Sequence, residues 1–307
     1  MIAACPAICP NSTAANPSRF GRTTRMAELV GGFLVPHDPM VITDPTAPAD
    51  AVRERIAQAY TEVARRVADL GATTLIIIGT DHYLLFGPGC LPQALIGSGD
   101  LDGPIERLPG MRKRQLPDNK ALARHLVRHG HRTGIDWAVA DSLTVDHSIA
   151  IPYFRIGAET NIPVVPIYLA CGVEPLLPLP RAAQIGQNLK AAVESWHEDE
   201  RVVVIGSGGI SHWVGTAEMG RVNMEFDRMI LDLVVAGKVT ELVSFSDEYI
   251  REHGGNGGLE IRNFVAAMSA LGPCAGEIIA YEAVPEWITG LGFAELIPNR
   301  AVGRIAS

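Results

Sequence analysis

Four histidines occupy similar places in the sequence, close behind segments that have the composition of buried strands. They are His37, His82, His147 and His212. An imidazole can bind a metal ion or transfer a proton near neutral pH, which few other side chains can do. One histidine behind a strand is more often structural. Four at equivalent strand ends indicate a functional site, because open α/β sheets bind ligands at the carboxyl ends of their strands.

A second unusual segment is 254–258, which contains four glycines in five residues and closely precedes Glu260. So many glycines lower stability through backbone entropy, so we expect an unusual backbone conformation or a close approach to another group here. A glutamate in the first turn of a helix often only complements the helix dipole. Beside a set of strand-end histidines, Glu260 becomes a candidate metal ligand.

These residue types are suited to one kind of metal site. Two neutral imidazoles and one carboxylate on one face of a metal form the triad of non-haem Fe(II) oxygenases, which leaves three positions for substrate and O2. Three protein ligands with an open position also describe a catalytic zinc ion. The ligand types alone therefore do not choose the metal.

Hydrophobic patterns predict the elements that must position these residues. Strands are expected at 29–35, 73–78, 94–96, 136–140, 163–169, 201–205 and 278–283. Helices are expected at 48–70, 119–129, 182–196, 224–235, 239–243 and 259–271. The prolines in 163–169 favour an edge strand or a bulge there. Buried strands that alternate with amphipathic helices predict an α/β fold with a central mixed β-sheet flanked by helices, and a site at the carboxyl ends of the strands.

Bulk composition limits the class of protein. The chain has 307 residues, 47% of them hydrophobic, and a formal net charge of −8. That charge argues against nucleic acid as a partner, because no basic surplus exists to neutralise phosphates. No apolar run approaches the roughly 20 residues of a membrane-spanning helix. Five scattered cysteines without a disulfide-like framework indicate a reducing, cytoplasmic setting. Residues 1–25 have no periodicity, so we expect a tail there and a single catalytic domain at 26–307.

The sequence resembles the class III extradiol ring-cleavage dioxygenases. That family includes the β subunit of protocatechuate 4,5-dioxygenase, gallate dioxygenase and 2,3-dihydroxyphenylpropionate dioxygenase. The resemblance spans about residues 27–300 and rests on five motifs in the family's order: VPHDP, GTDHYLLF, VDHSIAIPY, GSGGISHW and GGNGGLE. Each motif is weak singly, but together they are fairly specific. Ser148 stands where the family commonly has glycine, which leaves the exact substrate open.

The resemblance implies a role for each candidate residue. His37, His82 and Glu260 would bind Fe(II), with Mn(II) as the alternative ion. His212 would be the catalytic base, and His147 a second acid/base or a residue that orients the substrate. The implied reaction is extradiol cleavage of a catechol-type ring with O2 in aromatic-compound degradation. Protocatechuate, gallate or a related diol would be the substrate. We also expect a homodimer or pairing with a small second subunit.

Two other functions stay open from the sequence. A zinc- or manganese-dependent hydrolase could use the same three ligands and a metal-bound water as nucleophile. It is less favoured, because hydrolases with bridging metals tend to need more aspartate ligands than the sequence offers. A non-catalytic interaction protein of the same fold should have lost part of the triad or the base, yet all five candidate residues are present.

Overall fold

A computed structural model describes residues 26–299, so the tail expected at residues 1–25 lies outside the described residues. The strands are β1 Glu28–Val35, β2 Thr74–Gly79, β3 Ala94–Gly97, β4 Leu101–Gly103, β5 Arg114–Leu116, β6 Ala138–Ala140, β7 Leu143–Thr144, β8 Val164–Leu169, β9 Arg201–Ser207, β10 Cys274–Val284 and β11 Thr289–Pro298. The helices are α1 Met40–Thr43, α2 Asp50–Asp69, α3 Lys120–Thr133, α4 His147–Ile156, α5 Leu179–Glu194, α6 Met224–Val235, α7 Val239–Val243, α8 Asp247–Gly254 and α9 Ile261–Leu271. Short 3₁₀ turns cover Gly257–Glu260 and Pro285–Trp287.

Within residues 26–299, an eight-stranded sheet has the order β10-β11-β1-β9-β2-β8-β3-β6. The four strands β1, β9, β2 and β8 are parallel neighbours, whereas β11 and β3 run antiparallel to this group. A smaller sheet contains β5, β4 and β7. The central mixed sheet confirms the predicted α/β fold. Because the four central strands are parallel, their carboxyl ends lie along one edge of the sheet, where ligands bind in open α/β folds.

Each face of the large sheet is covered by its own layer of helices. The apolar residues of α3, α5, α6 and α9 form one layer, and those of α2 and α4 form the other. In β2, Ile76 and Ile78 face the first layer, whereas Leu75 and Ile77 face the second, and all four are fully buried. Burying one such side chain contributes about 1.5–3 kcal/mol. The strand predicted at 73–78 is therefore confirmed, and it is buried on both faces.

One prediction about strand position is wrong. The segment predicted as an edge strand or bulge is β8, which lies in the interior of the sheet between β2 and β3. Its register with β3 pairs Ile167, Tyr168 and Leu169 but stops before Pro166. The missing N–H of Pro166 therefore falls where the ladder with β3 has ended, and this permits a proline in an interior strand.

The hydrophobic pattern of the sequence also fails to predict some helices and strands near the site. His147, expected in a loop, is the first residue of α4, and Pro152 inside that helix hides its pattern. Glu260, expected to open the helix at 259–271, instead ends a 3₁₀ turn directly before α9. The long strand β11 is likewise absent from the predicted elements, because most of its residues are buried without alternation. No helix among residues 26–299 is long and apolar enough to cross a bilayer.

Candidate metal centre

The residues predicted to hold a metal lie together at the carboxyl edge of the sheet. Strands β1, β9 and β2 are adjacent, and the loops that follow them carry His37, His212 and His82. Glu260 arrives separately, at the end of the 3₁₀ turn that leads into α9. The ring centroids of His37 and His82 are 5.1 Å apart. His147 joins them from the start of α4, and its ring stacks on that of His82 with centroids 4.1 Å apart.

The Glu260 carboxylate stands at the centre of this group. Its Oε1 lies 3.2 Å from His37 Nε2 and 3.1 Å from His82 Nε2. Its Oε2 accepts a hydrogen bond of 3.0 Å from the backbone N–H of Gly209. Burial acts to raise the pKa of Glu260, but the neighbouring imidazoles, His37 above all, hold it well below the usual range. Glu260 is therefore ionised and has no hydrogen to donate.

A chain of hydrogen bonds fixes which nitrogen of His37 carries its proton. Pro152 has no N–H, so the carbonyl of Ser148, four residues earlier, lacks its helical partner. The Ser207 hydroxyl donates to that carbonyl at 2.7 Å. Because its single hydrogen is used there, Ser207 Oγ accepts from Nδ1–H of His37 at 2.8 Å. With a hydrogen on Nδ1, His37 has its Nε2 atom facing Glu260, where its lone pair could bind a metal.

Asp146 does the same for His82. Asp146 Oδ2 lies 2.9 Å from His82 Nδ1. Its Oδ1 accepts from Ser148 N–H, from the Ser148 hydroxyl and from the Tyr168 hydroxyl. Burial acts to raise the pKa of Asp146, but the hydrogen bond from His82 and the other interactions lower it to about 2. An ionised Asp146 requires Nδ1–H on His82, which leaves the Nε2 lone pair of neutral His82 facing Glu260.

Two imidazole lone pairs and one carboxylate oxygen therefore converge on the same point. Such an arrangement is unfavourable unless a cation or a proton lies between the three atoms. Without a metal, burial acts to lower the pKa of His82, but its contacts with Asp146 and Glu260 raise it to about 10, so a proton takes that place. Right-angled ligands of an octahedral ion, each about 2.1 Å from it, lie about 3.0 Å apart. The separations of 3.1 and 3.2 Å fit a metal held by these three residues.

A second grouping of ligand atoms also occurs here. Atoms of His37, His82 and His147 lie within 4.8 Å of one another. However, Glu106 Oε1 accepts from the backbone N–H of His147 at 2.9 Å and lies 2.5 Å from its Nδ1. Glu106 thus holds His147 from outside the centre. Glu260, in contact with both other histidines, is therefore a better candidate than His147 for the third ligand.

The glycine-rich segment packs directly around His212. Gly255 has a left-handed φ of 79°, and a Cβ there would overlap the carbonyl of His212. A Cβ on Gly257 would overlap the His212 ring at Nε2. The close approach and the unusual backbone predicted for this segment are confirmed. His212 Nε2 lies 3.9 Å from Glu260 Oε2, and burial lowers the pKa of His212, which favours a neutral ring.

Three aspartates beside these histidines have three different roles. Asp146 orients His82 and also caps α4. Asp81 only caps its loop, with both oxygens accepting backbone N–H groups of residues 84–86. Asp38 accepts from Met40 N–H, while its Oδ2 is buried without a hydrogen bond. Burial raises the pKa of Asp38 to about 7.

Sequence reasoning does not find Ser207 or Glu106. Ser207 is the last residue of a buried strand, and Glu106 lies in an irregular segment after β4, so neither has a local pattern. Their contacts with His37 and His147 join residues 170 and 41 positions apart. Only the fold brings them together. The five residues predicted from sequence all line one cavity of about 420 Å³.

This chain is similar to known proteins in sequence and in fold. A family model described as the catalytic LigB subunit of aromatic ring-opening dioxygenase matches residues 31–292. The chain is 26% identical over 302 residues to a 2,3-dihydroxyphenylpropionate/2,3-dihydroxicinnamic acid 1,2-dioxygenase of Rhodococcus jostii, covering 81% of this chain and 93% of that protein. It is 28% identical over 297 residues to a protein of the same name from Burkholderia vietnamiensis, with coverages of 80% and 90%. A solved structure of an uncharacterized Escherichia coli K12 protein matches with a TM-score of 0.56 at 13% identity, covering 87% of this chain and 99% of that one. This last likeness concerns the fold alone.

The hydrogen bond between Ser207 and His37 can be tested through metal affinity. Ser207→Ala removes the acceptor for Nδ1–H of His37, and losing such a bond typically weakens metal binding about 10- to 100-fold. Calorimetric titration of Zn(II) into metal-free protein measures this loss. Ser269→Ala is a matched control, because Ser269 is buried on α9 and its hydroxyl has no hydrogen-bond partner among residues 26–299. Unchanged affinity in Ser207→Ala would show that Ser207 does not orient the ligand.

Proposed function

The chain belongs to the LigB family of aromatic ring-opening dioxygenases and is an extradiol ring-cleavage dioxygenase, and we propose from this premise that it holds Fe(II) through His37, His82 and Glu260. The proposed substrate is a catechol-type diol of the class that includes protocatechuate, gallate and the 2,3-dihydroxyphenylpropionate named for its relatives. One observation carries the proposal: Glu260 Oε1 lies between the two Nε2 lone pairs. Mn(II) is the alternative ion.

The ligand set leaves room for both reactants. Two histidines and one carboxylate occupy one face of an octahedral ion and leave three positions open. When bound, Fe(II) would join the diol to O2 and conduct electrons from the ring to the oxygen. The protein must therefore supply the rest of the chemistry, which is to orient the diol and to move its protons.

His212 is the proposed general base. Burial lowers its pKa, so the ring is neutral and Nε2 can accept a proton from a hydroxyl of the diol. The same atom can return the proton later in the reaction. Gly257 leaves the space that this ring occupies, since any larger residue would overlap Nε2.

His147 is the proposed second acid/base or orienting residue. Burial lowers its pKa, and Glu106 binds Nδ1, which leaves Nε2 as the free nitrogen of the neutral ring. His147 lines the same cavity as His212. Two neutral imidazoles therefore face the place where a diol would lie, and one can deprotonate a hydroxyl while the other orients its partner.

Properties of the whole protein complete the proposal. A cytoplasmic location is supported by the free thiols of Cys90, Cys171 and Cys274, because reducing compartments keep thiols unpaired. We propose that the enzyme acts as a homodimer, or with a small second subunit, and binds neither nucleic acid nor membrane. The alternatives, a zinc or manganese hydrolase and an interaction protein, predict no uptake of O2.

The assigned roles predict two distinct groups of variants. His37→Ala, His82→Ala and Glu260→Ala should each lose most bound iron and all ring cleavage. His212→Ala should keep its iron but lose roughly 10²–10⁴-fold in turnover, the usual contribution of general acid–base catalysis. Metal analysis and O2 uptake with a panel of diols measure both effects. Stoichiometric iron in a ligand variant would remove that residue from the set, and a loss below about tenfold in His212→Ala would remove its role.

The space beside His212 gives a separate prediction. Gly257→Ala should displace the His212 ring, because the new Cβ overlaps Nε2, and turnover should fall at least about tenfold while iron stays bound. Gly258→Ala is the matched control, since its nearest contact would be 3.2 Å, to the carbonyl of Ile210. Equal turnover in the two variants would show that His212 does not require this space.

The domain assignment can be tested by truncation. We propose that residues 26–307 form one catalytic domain, because every residue assigned to the site lies between His37 and Glu260. A protein that begins at Met26 should fold and retain full O2 uptake. Loss of folding or activity in the truncated protein, measured by circular dichroism and an oxygen electrode, would show that residues 1–25 belong to the domain.

A further inference from the structure

The cavity is lined by two chemically different sets of side chains. The histidines and Glu260 form one set, to which the proposed function assigns the metal and the proton transfers. The rest of the lining includes four aliphatic or thioether side chains: Met40, Val173, Val214 and Ile288. A substituent on the ring of a bound diol would meet this apolar wall.

Ile288, one residue of this apolar wall, has a strained backbone conformation. Ile288 has a φ of 56°, in the left-handed region that a β-branched residue rarely adopts. The turn is held by a 3.0 Å hydrogen bond from Ile288 N–H to the carbonyl of Pro285. The preceding Trp287 is buried and donates to the carbonyl of Asp44 at 2.9 Å. The fold therefore keeps an apolar side chain at a position where glycine would be less strained.

No lysine or arginine among residues 26–299 lines the cavity. Two arginines on neighbouring segments have other partners. Arg251 pairs with Glu174, next to the lining residue Val173. Arg221 pairs with Glu218 and lies over the ring of Trp213 at 4.4 Å. These guanidinium groups are engaged outside the cavity.

The remaining polar groups of the lining offer no positive charge to a substituent. The four histidines are assigned to the metal and to proton transfer. Asp81 is occupied by backbone N–H groups, and Asp38 has one buried oxygen with no hydrogen-bond partner among residues 26–299. A carboxyl group carries no positive charge in either protonation state. A carboxylate on the substrate would thus lose its hydration without gaining an ion pair.

We propose that the diol cleaved by this enzyme carries an uncharged, apolar substituent, and that carboxylated diols are poor substrates. This inference rests on the proposed function and narrows it. It sets aside protocatechuate and gallate, and it separates this chain from the relatives named for 2,3-dihydroxyphenylpropionate. The observation that carries it is the set of four apolar side chains in a cavity that no lysine or arginine among residues 26–299 lines.

A matched set of substrates tests the proposal on the Fe(II)-loaded full chain. The set is 2,3-dihydroxyphenylpropionate, its propionamide of the same shape, and 3-propylcatechol. We expect kcat/KM for the amide and the propyl compound to exceed that for the propionate by about 100-fold, because a buried charge without a partner is strongly disfavoured. A preference for the propionate over its amide would overturn the proposal.

A gain-of-function variant tests the same point from the protein side. Val214 lines the cavity but is 48% exposed, so Val214→Arg can introduce a cation at its rim without burying an unpaired charge. We expect the ratio of kcat/KM for the propionate to kcat/KM for 3-propylcatechol to rise at least about tenfold. Val139→Arg is the matched control, because Val139 is 46% exposed and lies on the edge strand β6, away from the cavity. Equal behaviour of the two variants would contradict the proposal.

Binding separates this inference from the proposed function. Anaerobic calorimetry measures the affinity of Zn(II)-loaded protein for 3-propylcatechol and for the propionate, without turnover. Tighter binding of 3-propylcatechol with no cleavage of any diol would retain the substituent inference and reject the dioxygenase chemistry. Cleavage of diols with a preference for the propionate would retain the dioxygenase chemistry and reject the substituent inference. Absence of binding for both compounds would reject both.

Discussion

The structure depends on three lone pairs that meet at one point and cannot turn away from each other. Glu260 Oε1 lies within 3.2 Å of two imidazole nitrogens, and each ring is held from behind through Nδ1, one by Ser207 and one by Asp146. A ring flip would break a buried hydrogen bond on either side, which is costly in a medium of low dielectric constant. The fold thus preserves an electrostatic conflict that a bound divalent cation would resolve.

The sheet topology and helix α4 keep these nitrogen and oxygen atoms close together. Parallel neighbours β1, β9 and β2 deliver their three following loops to the same edge. Helix α4 contributes through one missing helical hydrogen bond. Pro152 frees the carbonyl of Ser148, which takes the hydrogen of Ser207 and thereby orients the ring of His37. A residue on one helical layer therefore influences the ring orientation of His37, a proposed metal ligand, without touching it, and Ser148 lies in the middle of this chain of hydrogen bonds.

The proposed reaction type and the proposed choice of ring substituent depend on different residues of the cavity. The histidines of the cavity follow buried strands, and Glu260 follows the glycine-rich segment. The close contacts of that segment leave little freedom for substitution. The apolar wall is built from short segments such as the turn at Ile288 and the loop at Val173. Loops tolerate change more readily than the elements they connect. The reaction type and the choice of ring substituent can therefore vary independently in such a fold.

The amino-acid sequence predicted the α/β class, most of the strands and helices, the five site residues as candidates and the close approach at the glycine segment. These properties follow from periodicity and residue type, which are local. The interior position of β8, the helix α4, the strand β11 and the orienting roles of Ser207, Asp146 and Glu106 came only from the tertiary structure. His37 contacts Ser207 and Glu260 across 170 and 223 positions of the chain. A hydrogen bond over such a separation leaves no local pattern, because the sheet order, and not the spacing along the chain, decides which side chains meet.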